Sequence, residues 1–150
     1  MDADVRITPQ QEQLLVFLGS GGATEIDPVR IMKGLFVFTK EAPEEWVPMH
    51  DRYTFVAYDY GPCSFDIYRD LDRLAARGYV ASLEAPWRTW KTYELTEKGK
   101  GLFHRVGLRR EAREYLGRIR DFVASLPFDR LLSVIYQKYP DFAVNSLFKR

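Results

Sequence analysis

The sequence SFDIYRDLDRLAARG, residues 64–78, decides the predicted fold. At about 100° per residue, its apolar side chains gather on one face of a helix. That face consists of Ile67, Tyr68, Leu71, Leu74 and Ala75. Ser64 is a favourable N-cap, and Gly78 is favourable just past a helix end. The stretch therefore predicts an amphipathic helix that is buried along this apolar face.

Two strand-like runs follow that helix, at residues 79–84 and 88–95. Both are rich in aromatic and β-branched residues, which favour strands. They are joined around Ala85-Pro86-Trp87, and a proline suits a loop because it has no N–H to donate to a sheet. Residues 79–95 are therefore predicted to form a β-hairpin.

The order of helix, glycine and hairpin resembles that of winged-helix transcriptional regulators, and Tyr93-Glu94-Leu95-Thr96-Glu97-Lys98-Gly99 is similar to their strand-to-helix junction. The resemblance implies an α+β, mostly α fold class: a winged helix-turn-helix with additional C-terminal helices. The winged-helix domain would span residues 1–96, with a recognition-type helix at 64–78 and a wing hairpin at 79–95. Residues 97–150 would form a helical extension that packs on this domain or forms a dimer seam.

A second resemblance covers residues 10–145. The chain is similar to the Panacea (SocA-like) antitoxin domain family in three short motifs: Ile31-Met32-Lys33-Gly34-Leu35-Phe36, Tyr60-Gly61-Pro62, and the segment LLSVIYQKYP at residues 131–140. The hairpin and the junction after it are closer to a winged helix than to that family. This resemblance implies a cytoplasmic, non-catalytic accessory or regulatory protein of a microbe or phage.

Local signals predict the elements around this module. Helix starts are indicated at Thr8-Pro9, with Gln11 completing a capping box, and at Asp27-Pro28. The aromatic run at residues 53–58 predicts a short strand, after which Gly61-Pro62 turns the chain. Helices are also predicted from Thr96 towards Ser125, interrupted near its glycines, and over Phe128–Lys138.

Composition indicates a globular protein with an uneven charge. The 150 residues have a formal net charge of +1, but residues 1–63 sum to −5 and residues 64–150 to +6. A basic half is compatible with a polyanionic partner or with an ordinary solvated surface. No run of 18 uncharged apolar residues is present, which argues against a membrane span. The single cysteine, Cys63, is consistent with a reducing cytoplasm, which is the predicted location.

Basic side chains of the helix and hairpin are the candidate contacts to double-stranded DNA. Arginine binds phosphates and base edges through its planar fork. The candidates are Ser64, Arg69, Arg73 and Arg77 on the helix, and Arg88 and Lys91 at the hairpin tip. An alternative is that Arg69 and Arg73 pair along the helix with Asp66 and Asp70.

Apolar residues predict an oligomer interface as well. Trp87 and Trp90 lie at the hairpin tip; they could touch the DNA backbone, or one could turn into the core while the other covers a partner subunit. The stripe containing Leu116, Ile119 and Val123 suits either the core or a dimer seam. The basic residues of 97–124 would then form the outer face of a dimer helix or a second nucleic-acid surface. A homodimer is therefore predicted.

The sequence offers no pattern for catalysis or for a metal. Cys63 and the two histidines, His50 and His104, lack the spacing of a nucleophile and its base or of a zinc site. We therefore expect no enzyme activity, metal or cofactor. The leading interpretation is a homodimeric DNA-binding transcriptional regulator. The alternative is a non-catalytic interaction module, antitoxin-like or an adaptor, that holds a protein partner with the same helix and hairpin.

Overall fold

A computed structural model of the chain describes residues 6–21 and 25–147. The fold is α+β and mostly helical. The described residues form six α-helices: α1 (Pro9–Gly19), α2 (Pro28–Glu41), α3 (Phe65–Ala76), α4 (Glu97–Arg105), α5 (Arg110–Ser125) and α6 (Phe128–Lys138). They also form four short strands: β1 (Val56–Tyr58), β2 (Gly61–Cys63), β3 (Val80–Leu83) and β4 (Thr92–Leu95). None of the helices within 6–21 and 25–147 has the length and hydrophobicity needed to cross a bilayer.

The helix starts follow the local signals. The Thr8 hydroxyl accepts a hydrogen bond from the Gln11 N–H, and the Gln11 side chain accepts one from the Thr8 N–H, both at 3.0 Å. The Asp27 carboxylate accepts a bond from the Arg30 N–H in the same way at α2. These short-range contacts confirm the predicted capping box and both N-caps.

The strands form two separate antiparallel pairs. The predicted β3–β4 hairpin is present, with Val80 facing Leu95 and Leu83 facing Thr92, but residues 88–91 of its predicted second strand lie in the loop. The run predicted as a strand over residues 53–58 is wrong in extent, because only Val56–Tyr58 is extended and it pairs with Gly61–Cys63. Tyr53 is instead buried and hydrogen-bonded to α3. A bridge between Ile26 and Tyr93 adds residue 26 to the edge of β4.

The core lies between α2, α5 and α1. Leu116, Ile119 and Val123 are buried within it, so their assignment to a dimer interface is wrong. The apolar stripe of α5 is covered by the chain's own α1 and α2, which leaves none of these three side chains for a partner. The core also joins residues on both sides of position 96, from Leu14 to Tyr136. The C-terminal helices therefore pack on the rest of the chain.

The buried side chain of Arg52 caps the C-terminal end of α2. Arg52 donates to the carbonyl oxygens of Val47 (2.9 Å), Thr39 (2.9 Å) and Pro43 (2.7 Å). A cation is favourable at this place because the last carbonyls of a helix carry the negative end of its dipole. Burial lowers the pKa of the guanidinium from its ordinary value. The segment between α2 and β1 is thereby fixed to the helix before it.

Candidate functional site

A buried carboxylate sets the orientation of α3. Asp70 is 5% exposed, and its Oδ1 accepts a 3.0 Å hydrogen bond from Gln11 Nε2 of α1. Its Oδ2 accepts a 2.7 Å bond from the Tyr53 hydroxyl. Both carboxylate oxygens are thus used inside the molecule. Of the three aspartates of α3, this one points away from solvent.

The arginines of α3 lie on its outward side. The side chains of Arg69 and Arg73 are 61% and 66% exposed, and Arg77 is also exposed. Arg69 pairs with Asp66, and Arg73 Nη1 lies 3.7 Å from Asp70 Oδ1. The intrahelical pairing considered from the sequence is therefore present. The Arg69–Asp66 pair is open to solvent on both sides and contributes only about 0–1 kcal/mol, and Arg73 is beyond hydrogen-bond distance of Asp70, so both arginines can exchange partners readily.

Lys98 extends this row of cations beyond the helix. Its Nζ donates to the Arg77 carbonyl oxygen at 2.9 Å and lies 4.7 Å from the centre of the Tyr79 ring. The Arg77 guanidinium lies 5.5 Å from the same ring. We call Arg69, Arg73, Arg77 and Lys98 the cationic face. The sequence placed Lys98 in the junction motif, but its approach to Arg77 depends on how α4 packs.

Ser64 does not belong to this surface. Its side chain is 2% exposed, and it makes no capping hydrogen bond. Its backbone N–H faces Met32 Sδ of α2 at 3.5 Å. The prediction that Ser64 contacts DNA is therefore wrong, because this residue, which precedes α3, is covered by α2.

At the hairpin tip, the two residues predicted to contact DNA differ in exposure: Arg88 is enclosed and Lys91 is exposed. The Arg88 side chain is 12% exposed. It donates to Trp90 O (3.0 Å), Leu83 O (3.2 Å) and Thr92 Oγ1 (2.9 Å). The prediction of a DNA contact at Arg88 is wrong, since its donors hold the loop together. Lys91 is exposed and has no ion pair within the described residues.

Both hairpin tryptophans face solvent. Trp87 is 82% exposed and Trp90 is 55% exposed, so neither turns into the core. Trp90 borders a groove of about 520 Å³ that is also lined by Tyr60, Tyr68 and Phe128. We call these four side chains the aromatic groove. Tyr68 was expected on the buried face of α3, but it is exposed at the edge of that face.

The charge of this module is balanced. Residues 64–96 carry five basic and five acidic side chains, so the excess of positive charge predicted to start at α3 comes from residues 97–150. Asp70 is buried and hydrogen-bonded, so its negative charge does not lie on the outward surface of α3. Its outward side carries three arginines and one carboxylate, that of Asp66.

Other reactive side chains are buried. Lys33 is 2% exposed and donates to the Pro62 carbonyl oxygen at 3.1 Å, and burial lowers the pKa of its ammonium to about 8. Burial raises the pKa of the neighbouring Cys63 thiol, which disfavours the nucleophilic thiolate. Within residues 6–21 and 25–147, no three side chains of His, Cys, Asp or Glu converge on a metal position.

The junction motif has a packing role. Thr96 Oγ1 accepts a bond from the Gly99 N–H, and a Cβ on Gly99 would lie 2.0 Å from the Tyr79 carbonyl oxygen. Glycine is thus required at position 99 for α4 to approach the Tyr79 backbone, and Thr96 caps the start of the helix. Comparison of the chain with protein-family models finds no matching family, and no curated protein matches its sequence. What bears on function is therefore the chemistry of the cationic face and the aromatic groove.

Proposed function

We propose that the chain is a winged-helix protein that binds double-stranded DNA through the cationic face and acts as a transcriptional regulator. A winged helix places a strand between its first two helices, a recognition helix third, and a hairpin after it. The order α1, Ile26, α2, α3, β3 and β4 fits this arrangement, with Ile26 bridged to β4. Residues 42–63 take the position of the short turn before the third helix.

The inward position of Asp70 carries the DNA proposal. It leaves α3 with an outward surface dominated by Arg69, Arg73 and Arg77. Twelve residues rise about 18 Å at 1.5 Å each, which spans a major groove about 12 Å wide. The middle of the helix could then meet base edges while Arg77 and Lys98 meet phosphates at its C-terminal end.

The salt dependence of binding to a random duplex tests this proposal. Phosphate contacts release counterions, so log affinity should fall linearly with log salt by roughly 0.9 per contact. The double variant Arg69→Ala/Arg73→Ala should bind several-fold more weakly and lower the slope by about two. Arg110→Ala/Arg118→Ala is the matched control, since it removes the same two charges from exposed positions of a different helix, α5. Equal loss in both variants, or no binding at low salt, would overturn the proposal.

A second candidate is a protein-interaction module of the antitoxin or adaptor kind. It is favoured by Trp87, which is the most exposed large apolar side chain described, and by Phe65 at the start of α3, which stacks edge-on against Tyr58 at 5.2 Å. Exposed tryptophans are frequent anchors of protein interfaces. A stoichiometric partner should remain bound to Arg69→Ala/Arg73→Ala and be lost from Phe65→Ser/Trp87→Ser. The opposite result would favour DNA.

We also propose that the chain forms a homodimer whose interface does not include the apolar stripe of α5. Trp87 is the side chain that such an interface would cover. Sedimentation equilibrium should give a dimer for the native chain and a monomer for Trp87→Ser. A monomer at all concentrations would exclude the dimer.

A further inference from the structure

We propose that the aromatic groove binds a small organic cation with alkyl groups on its nitrogen. This inference does not depend on DNA binding. Its four aromatic side chains come from four separate parts of the chain: Tyr60 from the β1–β2 turn, Tyr68 from α3, Trp90 from the hairpin loop and Phe128 from the first turn of α6. All four are left 37–55% exposed although burial would stabilise the fold.

The geometry of the groove suits a small ligand. Its volume of about 520 Å³ lies within the range of roughly 300–1,000 Å³ common for ligand sites. Tyr60 and Phe128 contact each other edge to face at 5.6 Å and form one wall. Tyr68 and Trp90 line the same groove from α3 and the hairpin. The rings thus surround a space that opens to solvent.

The charges beside the groove favour a cation. Asp59 and Asp129 are adjacent in sequence to Tyr60 and Phe128, and Asp72 lies one turn after Tyr68. Within the described residues, none of these three carboxylates forms an ion pair. Two basic side chains nearby are similarly unpaired in the described part of the chain, Lys91 next to Trp90 and Arg130 two residues after Phe128, so the three carboxylates outnumber them by one. The sum of these groups is negative.

The ion pair of Arg30 and Asp27, which also lines the groove, does not change the negative sign of this sum. Arg30 Nη1 donates to Asp27 Oδ1 at 2.9 Å, which makes the pair neutral. The other donors of Arg30 bind the carbonyl oxygens of Val123 (3.0 Å) and Leu126 (2.6 Å) at the end of α5. Its guanidinium is therefore committed to the fold and is not available to bind an anion in the groove.

Aromatic rings explain the preference for an alkylated cation. Each ring carries a negative face, and a quaternary ammonium group keeps its charge while presenting methyl groups that need no hydrogen bonds. Such a ligand gains both electrostatic attraction and apolar contact. A neutral ligand of the same shape gains only the contact.

Choline and its neutral isostere, in which a quaternary carbon replaces the nitrogen, test this inference. The indole N–H signals of Trp46, Trp87 and Trp90 can be followed separately by nuclear magnetic resonance. Choline should shift the Trp90 signal saturably and leave Trp46 and Trp87 unchanged, since Trp46 packs on Tyr115 and Trp87 lies at the hairpin tip. The neutral isostere should bind roughly ten-fold more weakly.

Matched variants complete the experiment. Tyr60→Leu and Phe128→Leu should abolish the saturable shift of the Trp90 signal, because each removes one ring of the same wall, and Trp87→Leu should leave that shift unchanged. Arg69→Ala/Arg73→Ala should bind choline normally, which separates this site from the DNA proposal. Equal affinity for the neutral isostere, equal shifts at all three tryptophans, or no saturable shift would each overturn the inference.

Discussion

The hydroxyl of Tyr53 donates a 2.7 Å hydrogen bond to Oδ2 of Asp70, and both side chains are almost completely buried. The bond ties the segment before β1 to the middle of α3. Burial, with the Asp70 charge beside it, raises the pKa of the Tyr53 hydroxyl well above its ordinary value. Tyr53 therefore stays a neutral donor at all physiological pH values.

We expect Tyr53→Phe to lower the free energy of unfolding by about 1–3 kcal/mol, because it leaves a buried carboxylate oxygen without a donor. Urea unfolding followed by circular dichroism measures the loss. Tyr58→Phe is the control, since Tyr58 is exposed. Similar stability of the two variants would show that the Asp70 bond contributes little to holding α3.

Gly99 and Gly101 form a second matched pair on α4. Gly99→Ala should destabilise the fold by about 3 kcal/mol, because the added methyl group would overlap the Tyr79 carbonyl oxygen. At Gly101 the space around a Cβ is open, and alanine should stabilise the helix by about 0.5–1 kcal/mol. The midpoint temperature of thermal unfolding should therefore fall for Gly99→Ala and rise for Gly101→Ala. A loss of stability in both variants would contradict the packing explanation.

Lys33 should make stability depend on pH. Its pKa falls from 10.5 to about 8 on folding, chiefly because of burial. Between these values the unfolded chain binds more protons, so the stability of the native chain relative to Lys33→Met should rise with pH from 8 to 10.5, by about 3 kcal/mol. Urea unfolding of both proteins across this range measures the difference. A difference that is flat or falls with pH would show that Lys33 is not buried as a cation.

Arg52 should be hard to replace. Arg52→Lys retains the charge but cannot reach the carbonyl oxygens of Val47, Thr39 and Pro43 together, and we expect a loss of about 3 kcal/mol. Arg110→Lys, at an exposed position, should change stability by less than about 0.5 kcal/mol. Denaturant unfolding compares the stability of the two variants. Equal losses would exclude a special role for the buried guanidinium of Arg52.

The two exposed aspartates of α3 give a charge test of the DNA proposal. Asp66→Asn removes the one carboxylate that shares the outward side with Arg69, and affinity for a random duplex should rise roughly three-fold at low salt. Asp72→Asn removes the same charge from the side of α3 that faces the aromatic groove and should have a smaller effect. Equal gains would indicate that net charge alone governs binding.

The parts of the fold set by neighbouring residues could be predicted from the sequence. The Thr8 and Asp27 caps and the glycine after α3 act within one helical turn, so their patterns are readable in isolation. The stripe of Leu116, Ile119 and Val123 is different, because one apolar pattern suits both a core and a dimer seam. Only the packing of α5 against α2 decides between them.

The candidate site was predictable only where exposure follows from helix periodicity. Arg69 and Arg73 are exposed as expected, whereas Ser64 and Arg88 are enclosed by contacts with α2 and the hairpin's own carbonyl groups. The aromatic groove could not be found from local patterns, because Tyr60, Tyr68, Trp90 and Phe128 are far apart in sequence. Such a site depends on four separate packing contacts.

The contacts of Arg88 have a consequence for ligand binding. By donating to Trp90 O and to both strands near the loop, Arg88 restricts the backbone that carries the Trp90 ring before any ligand arrives. A loop that is already ordered loses less conformational entropy on association. The arginine that cannot bind DNA would therefore strengthen binding at the aromatic groove by preorganisation, without touching the ligand.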